Sequence, residues 1–234
     1  VPAADVILVC TKSHHTMDAI DLLRPVVGPS TVVLSLQNGL QNDALIAEGL
    51  PDAHVLGGVA YVFASLVSPG EIEHRQLGRI LLGERARDVR DRDDGAPIEL
   101  VAGMFLDAGV PVEVSDDIVR DQWLKYICLV ALAGTTALTR QPIGAILTSA
   151  VVADLWQRQV EEVGAVARAA GVELPGDQVV RCREVVAGFG PANYSSLYHD
   201  LIRGRPLELD ALHGHVRELG DRLGVPVPTV STVY

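Results

Sequence analysis

Val6-Ile7-Leu8-Val9-Cys10, Thr31-Val32-Val33-Leu34-Ser35-Leu36 and Val55-Leu56-Gly57-Gly58-Val59 decide the fold. The first is a continuous apolar run of strand length, suited to a sheet buried on both faces. Between the three runs, His15 to Leu23 has helical character and is closed by Pro25 and Gly28, and Asp43 to Glu48 reads as a second helix. Strand–helix–strand–helix–strand in this register is the signature of a parallel, doubly wound sheet.

Outward from that block the pattern changes. Gly70 to His74 and Arg79 to Leu82 alternate as an antiparallel pair would, Ile98 to Ala108 is an amphipathic helix ending at Gly109, and Val110 to Val114 is a last strand. The charged run Glu84 to Asp94 reads as a solvated loop. From Ile118 the chain turns almost wholly helical, with helices expected over 118–138, 145–170, 176–188, 195–203 and 207–223 and with Gly171 and Gly224 where C-caps belong. The fold class is therefore α/β plus all-α. Residues 1–117 form a partial Rossmann-type parallel-sheet domain, and residues 118–234 form an all-helical domain.

Composition narrows the function. The chain has 234 residues, 48% of them hydrophobic, and a net charge of −11, which argues against a nucleic-acid partner, since that would need a basic face. Cys10, Cys128 and Cys182 are too few and too scattered for a disulfide framework or a zinc site, and read as buried small hydrophobes in a reducing cytosol. No apolar run reaches the roughly 18 residues of a membrane helix. The start, Val1-Pro2-Ala3-Ala4-Asp5, lacks the basic region of a signal peptide. A cytoplasmic protein with no membrane partner is expected. On a helix, His213-Gly214-His215 would put its two rings about 200° apart, a poor chelate, so no metal is expected.

The polar residues fall in three stretches. Gln37-Asn38-Gly39 follows the second strand, at the carboxyl end where parallel sheets bind ligands, and Lys12 ends the first strand in the same way. Trp123-Leu124-Lys125 lies near the start of the first long helix, and a desolvated lysine can polarise a carbonyl and release a proton. Asn193, Ser195, Ser196, Asp200 and Glu208 make up the third stretch. Taken alone, Asn-Gly is a common turn, Ser195-Ser196 a plain N-cap, and Glu208 a carboxylate favoured at a helix start.

In this order the three stretches resemble the ketopantoate reductase family, and the spacing Asn-x-x-Ser-x-x-x-Asp-x(7)-Glu from Asn193 to Glu208 matches it throughout. The resemblance runs from Asp5 to Pro228. It implies NADPH-dependent reduction of a 2-keto acid, 2-dehydropantoate to pantoate or a more apolar relative, and a helical domain like that of 6-phosphogluconate dehydrogenase. It implies Lys125 as proton donor and Glu208 as the partner that orients it, also lying against the cofactor. Asn193 and Ser196 would hold the substrate carboxylate, Asn38 would sit near substrate and nicotinamide, and Lys12 at the cofactor edge. A homodimer through the helical domain goes with this reading.

Two departures stand out. The family's asparagines four and eight residues beyond the lysine are Leu129 and Ala133 here, and a third expected near Ile143 is missing. That leaves fewer hydrogen bonds for a hydroxylated substrate. The Gly-x-Gly-x-x-Gly turn that brings a pyrophosphate to a helix N-terminus is also absent from the chain, which implies that roughly 60–70 residues precede Val1 in a whole nucleotide domain. The competing expectations are a non-catalytic ligand-binding or dimerisation remnant, and another hydroxy-acid dehydrogenase of the same two-domain plan.

Overall fold

The computed structural model of the chain describes residues 2–85 and 96–234. It divides into two compact units, Val1–Gln122 and Trp123–Tyr234. Most of the charged run Glu84 to Asp94 lies outside the described residues.

The first unit is built on one sheet in the order β1-β2-β3-β4-β5. Strands β1 (Val6–Val9), β2 (Val32–Ser35) and the start of β3 (His54–Ser68) pair in parallel. Helices α1 (Thr16–Leu23) and α2 (Asn42–Gly49) make the two crossovers. Every residue of β2 is buried. Val33 packs with Val9, Ile20, Ile46 and Leu50 on one face, and Val32 and Leu34 pack with Leu56, Leu82 and Val101 on the other. Val101 belongs to α3 (Ala96–Asp107). Helices thus cover both faces, which is why the β2 run shows no polar alternation.

The antiparallel part differs from the expectation. Residues 70–74 and 79–82 do not pair with each other. Both belong, but for Gly70, to one strand, β4 (Glu71–Gly83), whose antiparallel partner is the long β3. The reversal is Pro69-Gly70, with Gly70 at φ 82°, where a side chain would be strained. Register shifts between Tyr61 and Val62, Phe63 and Ala64, and Leu66 and Ser68 break the period-two pattern from which β3 could have been read. A short β5 (Val112–Val114) runs parallel to β4.

Helix α4 (Ile118–Thr139) starts in the first unit and continues into the second. Its first turn is anchored by a buried carboxylate: Asp43 of α2 accepts from Gln122 Nε2 at 2.9 Å and from Arg85 Nη1 at 2.9 and 3.0 Å. The second unit adds α5 (Gly144–Thr148), α6 (Ala150–Ala169), α7 (Gln178–Ala187), α8 (Ser196–Ile202), α9 (His215–Leu223) and α10 (Pro228–Val233). Trp156, Gln159, Val160, Val163, Val166 and Ala167 form the buried stripe of α6, at the three- and four-residue spacing of an amphipathic helix. Four further helices, α5, α7, α9 and α10, pack against it.

The single helix expected over 145–170 is two, because Ser149 is extended (φ −108°, ψ 118°) and serves as the N-cap of α6. The helix expected over 207–223 opens as a π turn, Asp210–Gly214, in which Gly214 N–H donates to Leu209 O at 2.8 Å. Helix α10 was not expected. Its N-terminal amides, Thr229 and Val230, donate to the Glu162 carboxylate of α6 at 2.9 and 2.8 Å, a long-range cap that local sequence does not reveal.

The cysteine expectation is overturned. Cys128 on α4 and Cys182 on α7 form a disulfide across 54 residues of chain, with their Cα atoms 5.3 Å apart, and Cys10 is exposed rather than buried. The pairing follows from helix packing, which neither count nor spacing reveals. Closing a loop of this length is expected to stabilise the folded chain by about 2–4 kcal/mol. The check is the urea midpoint with and without dithiothreitol. An unchanged midpoint would show that the cross-link contributes nothing. No helix among the described residues is long and apolar enough to cross a membrane.

Candidate active site

The expected site residues fall in both units. Lys12 and Asn38 belong to the first, and Lys125, Asn193, Ser196 and Glu208 to the second.

In the first unit, Lys12 and Asn38 stand on adjacent loops at the carboxyl ends of the paired strands β1 and β2. The loops are tied together by Gln37, a buried side chain to which the sequence assigned no role. Its Nε2 donates to Thr11 O at 3.0 Å and to Thr16 Oγ1 at 2.9 Å. Thr16 Oγ1 in turn donates to Asn42 Oδ1 at 3.0 Å, and Asn42 Nδ2 donates to Asn38 O at 2.8 Å. Gly39, at φ 110°, lets the chain reverse directly after Asn38. This network fixes the backbone beneath Asn38 before any ligand binds. Half-buried Lys12 and Asn38 therefore present a cation and an amide from a rigid edge, a donor set suited to an anionic or amide-bearing ligand.

In the second unit, Lys125 and Glu208 are brought together. Lys125 follows buried Trp123 on α4, and Glu208, also buried, precedes the π turn. Burial pulls the Lys125 ammonium from its usual range down to about 8, and the Glu208 carboxylate opposes that fall. Desolvation disfavours the charged amine, and a nearby anion restores part of the loss. A lysine near 8 can exist in either protonation state at neutral to mildly alkaline pH.

Tyr126, next to Lys125, is buried and sends its hydroxyl to the π turn. It donates to Leu212 O at 2.5 Å and to Ala211 O at 3.0 Å. Its ring meets that of Trp123 edge to face, with centroids 5.7 Å apart. Beyond Lys125 on α4, at four- and eight-residue spacing, come half-buried Leu129 and buried Ala133. These positions share one face of the helix.

The two serines separate in role. Ser195 is the N-cap of α8: its Oγ accepts from Tyr198 N–H at 3.1 Å and from Thr136 Oγ1 of α4 at 2.7 Å. Ser196 is the first helical residue, and it is exposed. Asn193 is half-buried, and its carbonyl accepts from Ile143 N–H at 2.8 Å, which ties the segment before α8 to that before α5. Asp200 is buried in α8, with Arg205 at 3.9 Å. His213 lies fully buried in the π turn, where burial pushes its imidazole down to about 4, so it is neutral at pH 7.

The chain is similar to known proteins along most of its length. Residues 1–87 match the ketopantoate reductase family, PanE/ApbA, and residues 117–234 match its C-terminal domain. The 2-dehydropantoate 2-reductase of Halobacterium salinarum is 34% identical over 234 residues, covering all of this chain and 75% of its own length. The crystal structure of 2-dehydropantoate 2-reductase from Geobacter metallireducens superposes with a TM-score of 0.88 at 33% identity, over 99% of this chain and 76% of that one. A D-mandelate dehydrogenase, solved with NADH and anilino(oxo)acetate, shares the fold at a TM-score of 0.89 and 21% identity, over 99% of this chain and 74% of that one.

Proposed function

The chain belongs to the ketopantoate reductase family, and from that premise we propose that it reduces 2-dehydropantoate to pantoate with NADPH. The observation that carries the proposal is the half-buried Lys125, lowered to about 8 by desolvation with Glu208 acting on it. Of the chain's 19 lysines and arginines only Lys12 and Lys125 are lysine. Arginine stays charged, whereas a buried lysine can give up its proton. Lys125 thus stands where a cation able to release its proton is useful.

The rigid edge formed by Lys12, Gln37 and Asn38 fits the nicotinamide end of the cofactor, since parallel sheets of this kind bind ligands at strand carboxyl ends. Lys12 and Asn38 would hold it there. When bound, NADPH supplies the hydride that reduces the keto carbon. The chain's own residues do the rest. Asn193 and Ser196 bind the substrate carboxylate. Lys125 Nζ donates a hydrogen bond to the keto oxygen, meets the negative charge that develops there, and passes its proton to it. Glu208 keeps Lys125 protonated and oriented until that moment. Solvent returns the proton to Lys125 afterwards. Reduction therefore requires the ammonium form, so kcat should fall as the pH rises through about 8.

A second reading concerns the substrate's tail. Leu129 and Ala133 follow Lys125 on its face of α4 and carry no hydrogen-bonding group. A pocket that hydrogen-bonds a hydroxyl rejects the analogue lacking it by roughly 10⁴–10⁵, whereas an apolar pocket discriminates by only about 10–200. The test compares kcat/KM values of the full-length protein, with NADPH, for 2-dehydropantoate and for 2-ketoisovalerate, which lacks the hydroxymethyl arm. A ratio below about 10² is expected. A ratio near 10⁴ would mean that other groups bind the hydroxyl, and no turnover of 2-dehydropantoate would sink the reductase reading itself.

A further inference from the structure

The π turn before α9 poses a physical question. An i→i+5 segment is weaker than the α-helix it interrupts, and it persists where something outside the helix holds it. Here Gly214 N–H reaches back to Leu209 O at 2.8 Å, the five-residue pattern. The outside contact on the turn's carbonyls is the Tyr126 hydroxyl, at 2.5 Å from Leu212 O and 3.0 Å from Ala211 O.

The bonds close a circuit. Tyr126 is joined to Lys125 through the backbone of α4. Its hydroxyl donates to Leu212 O, and Leu212 N–H donates to Glu208 O at 3.1 Å. The Glu208 side chain then acts back on Lys125. We propose that Tyr126 is a positioning residue for the Lys125–Glu208 pair: its hydroxyl holds the π turn open and so fixes where the Glu208 carboxylate stands relative to the Lys125 ammonium. The inference rests on the reductase reading for its consequence in turnover, but not for the geometry.

The other groups around the turn do not take over this task. Asp210 accepts from the hydroxyl of Tyr234, the residue that ends α10, at 2.5 Å. His213 is buried and neutral, and cannot serve as a counter-charge. Tyr126 itself stays protonated, because burial pushes its phenol upward, so it remains a donor across the working range.

Without the hydroxyl, Ala211 O and Leu212 O lose their contact from outside the helix, and Leu212 O keeps the His215 N–H as a donor. The turn then relaxes towards the α-helical register, and the residues ahead of it rotate. Glu208 no longer supports Lys125 at the same distance.

The test uses Tyr126→Phe, which keeps the ring, and Tyr126→Met, which keeps only bulk, in the full-length protein. Two readouts are taken beside a thermal melt. One is steady-state turnover, with kcat and both Michaelis constants measured for reduction of 2-dehydropantoate by NADPH. The other is the titration midpoint of Lys125, followed by NMR of ¹³Cε-labelled lysine and assigned with Lys125→Met. Both variants are expected to lower kcat by roughly ten- to a hundredfold, the cost of a small misplacement, with the Michaelis constant for NADPH unchanged. The Lys125 midpoint is expected to move to lower pH. A midpoint that stays put in folded variants would overturn the inference, whatever the melting temperature does. If the unmutated protein shows no turnover, the reductase reading fails, while the NMR midpoint still decides the role of Tyr126.

Discussion

Lys125→Met is expected to lower kcat for 2-dehydropantoate reduction by about 10²–10⁴, the usual share of a positioned proton donor. Methionine fills similar volume, so Trp123 and Tyr126 keep their packing. Lys125→Arg should fare little better. Its guanidinium keeps the charge but does not release a proton near neutrality. The methionine substitution also carries a stability signature that does not depend on turnover. In the folded protein Lys125 titrates at about 8 instead of the ordinary 10.5. Below pH 8 it is protonated folded and unfolded alike, and the fold bears the full cost of a buried ammonium. Between pH 8 and 10.5 the unfolded chain binds a proton that the folded chain has lost, so stability rises with pH across that window. The gain contributed by this one residue is on the order of 3 kcal/mol. Denaturant midpoints measured at several pH values should show that rise, and Lys125→Met should flatten it. A slope unaffected by the mutation would mean that Lys125 titrates normally and is no candidate for the proton donor.

Much of this site was legible in the sequence, for physical reasons that differ from residue to residue. The β2 run could be read because that strand is covered on both faces, and continuous apolar sequence is what such burial demands; β1 is as apolar, although its Leu8 is exposed. Asn38 and Lys12 followed from the strands, since ligands gather at carboxyl ends of parallel sheets. Lys125 and Glu208 were expected as a pair only because the three polar stretches together resemble the ketopantoate reductase family. Nothing local to either says that the long stretch between them folds back to join them. What stayed hidden was whatever depends on packing between distant segments. Gln37 looks like any loop amide until Thr11 and Thr16 are placed around it. Tyr126 looks like core, and it is core, but its hydroxyl ends on the π turn. The π turn carries no composition of its own, because one extra residue in a helix changes phase without changing chemistry. The Cys128–Cys182 bond lies between helices α4 and α7, whose apposition no periodicity encodes. Ser195 and Ser196 are adjacent and chemically identical, yet one is spent capping α8 and the other faces outward. The distinction is set by helix phase alone.

Glu208→Gln should separate the two things asked of Glu208. Glutamine keeps the shape and the hydrogen-bonding oxygen but removes the charge. If the charge is what keeps Lys125 protonated, its loss leaves desolvation unopposed, and the Lys125 titration must move further below its present value of about 8. The alkaline limb of kcat for reduction then shifts to lower pH, because the donor form disappears earlier. For pantoate oxidation the sign reverses. That direction needs the free amine, so the activity that rises with pH should rise earlier in the variant than in the unmutated protein. At the neutral optimum kcat for reduction is expected to drop by about 10², within the range of one acid–base contribution. The paired shift is the decisive observation, since a merely structural defect would lower both directions without moving either limb. Glu208→Asp should behave differently again: it retains the charge on a shorter arm, so the limb stays closer to its original place while kcat falls from misplacement. Reduction and oxidation limbs that both remain fixed in Glu208→Gln would show that Lys125 does not depend on this carboxylate. The buried pairing on α4 and the π turn would then serve the fold rather than the proton transfer.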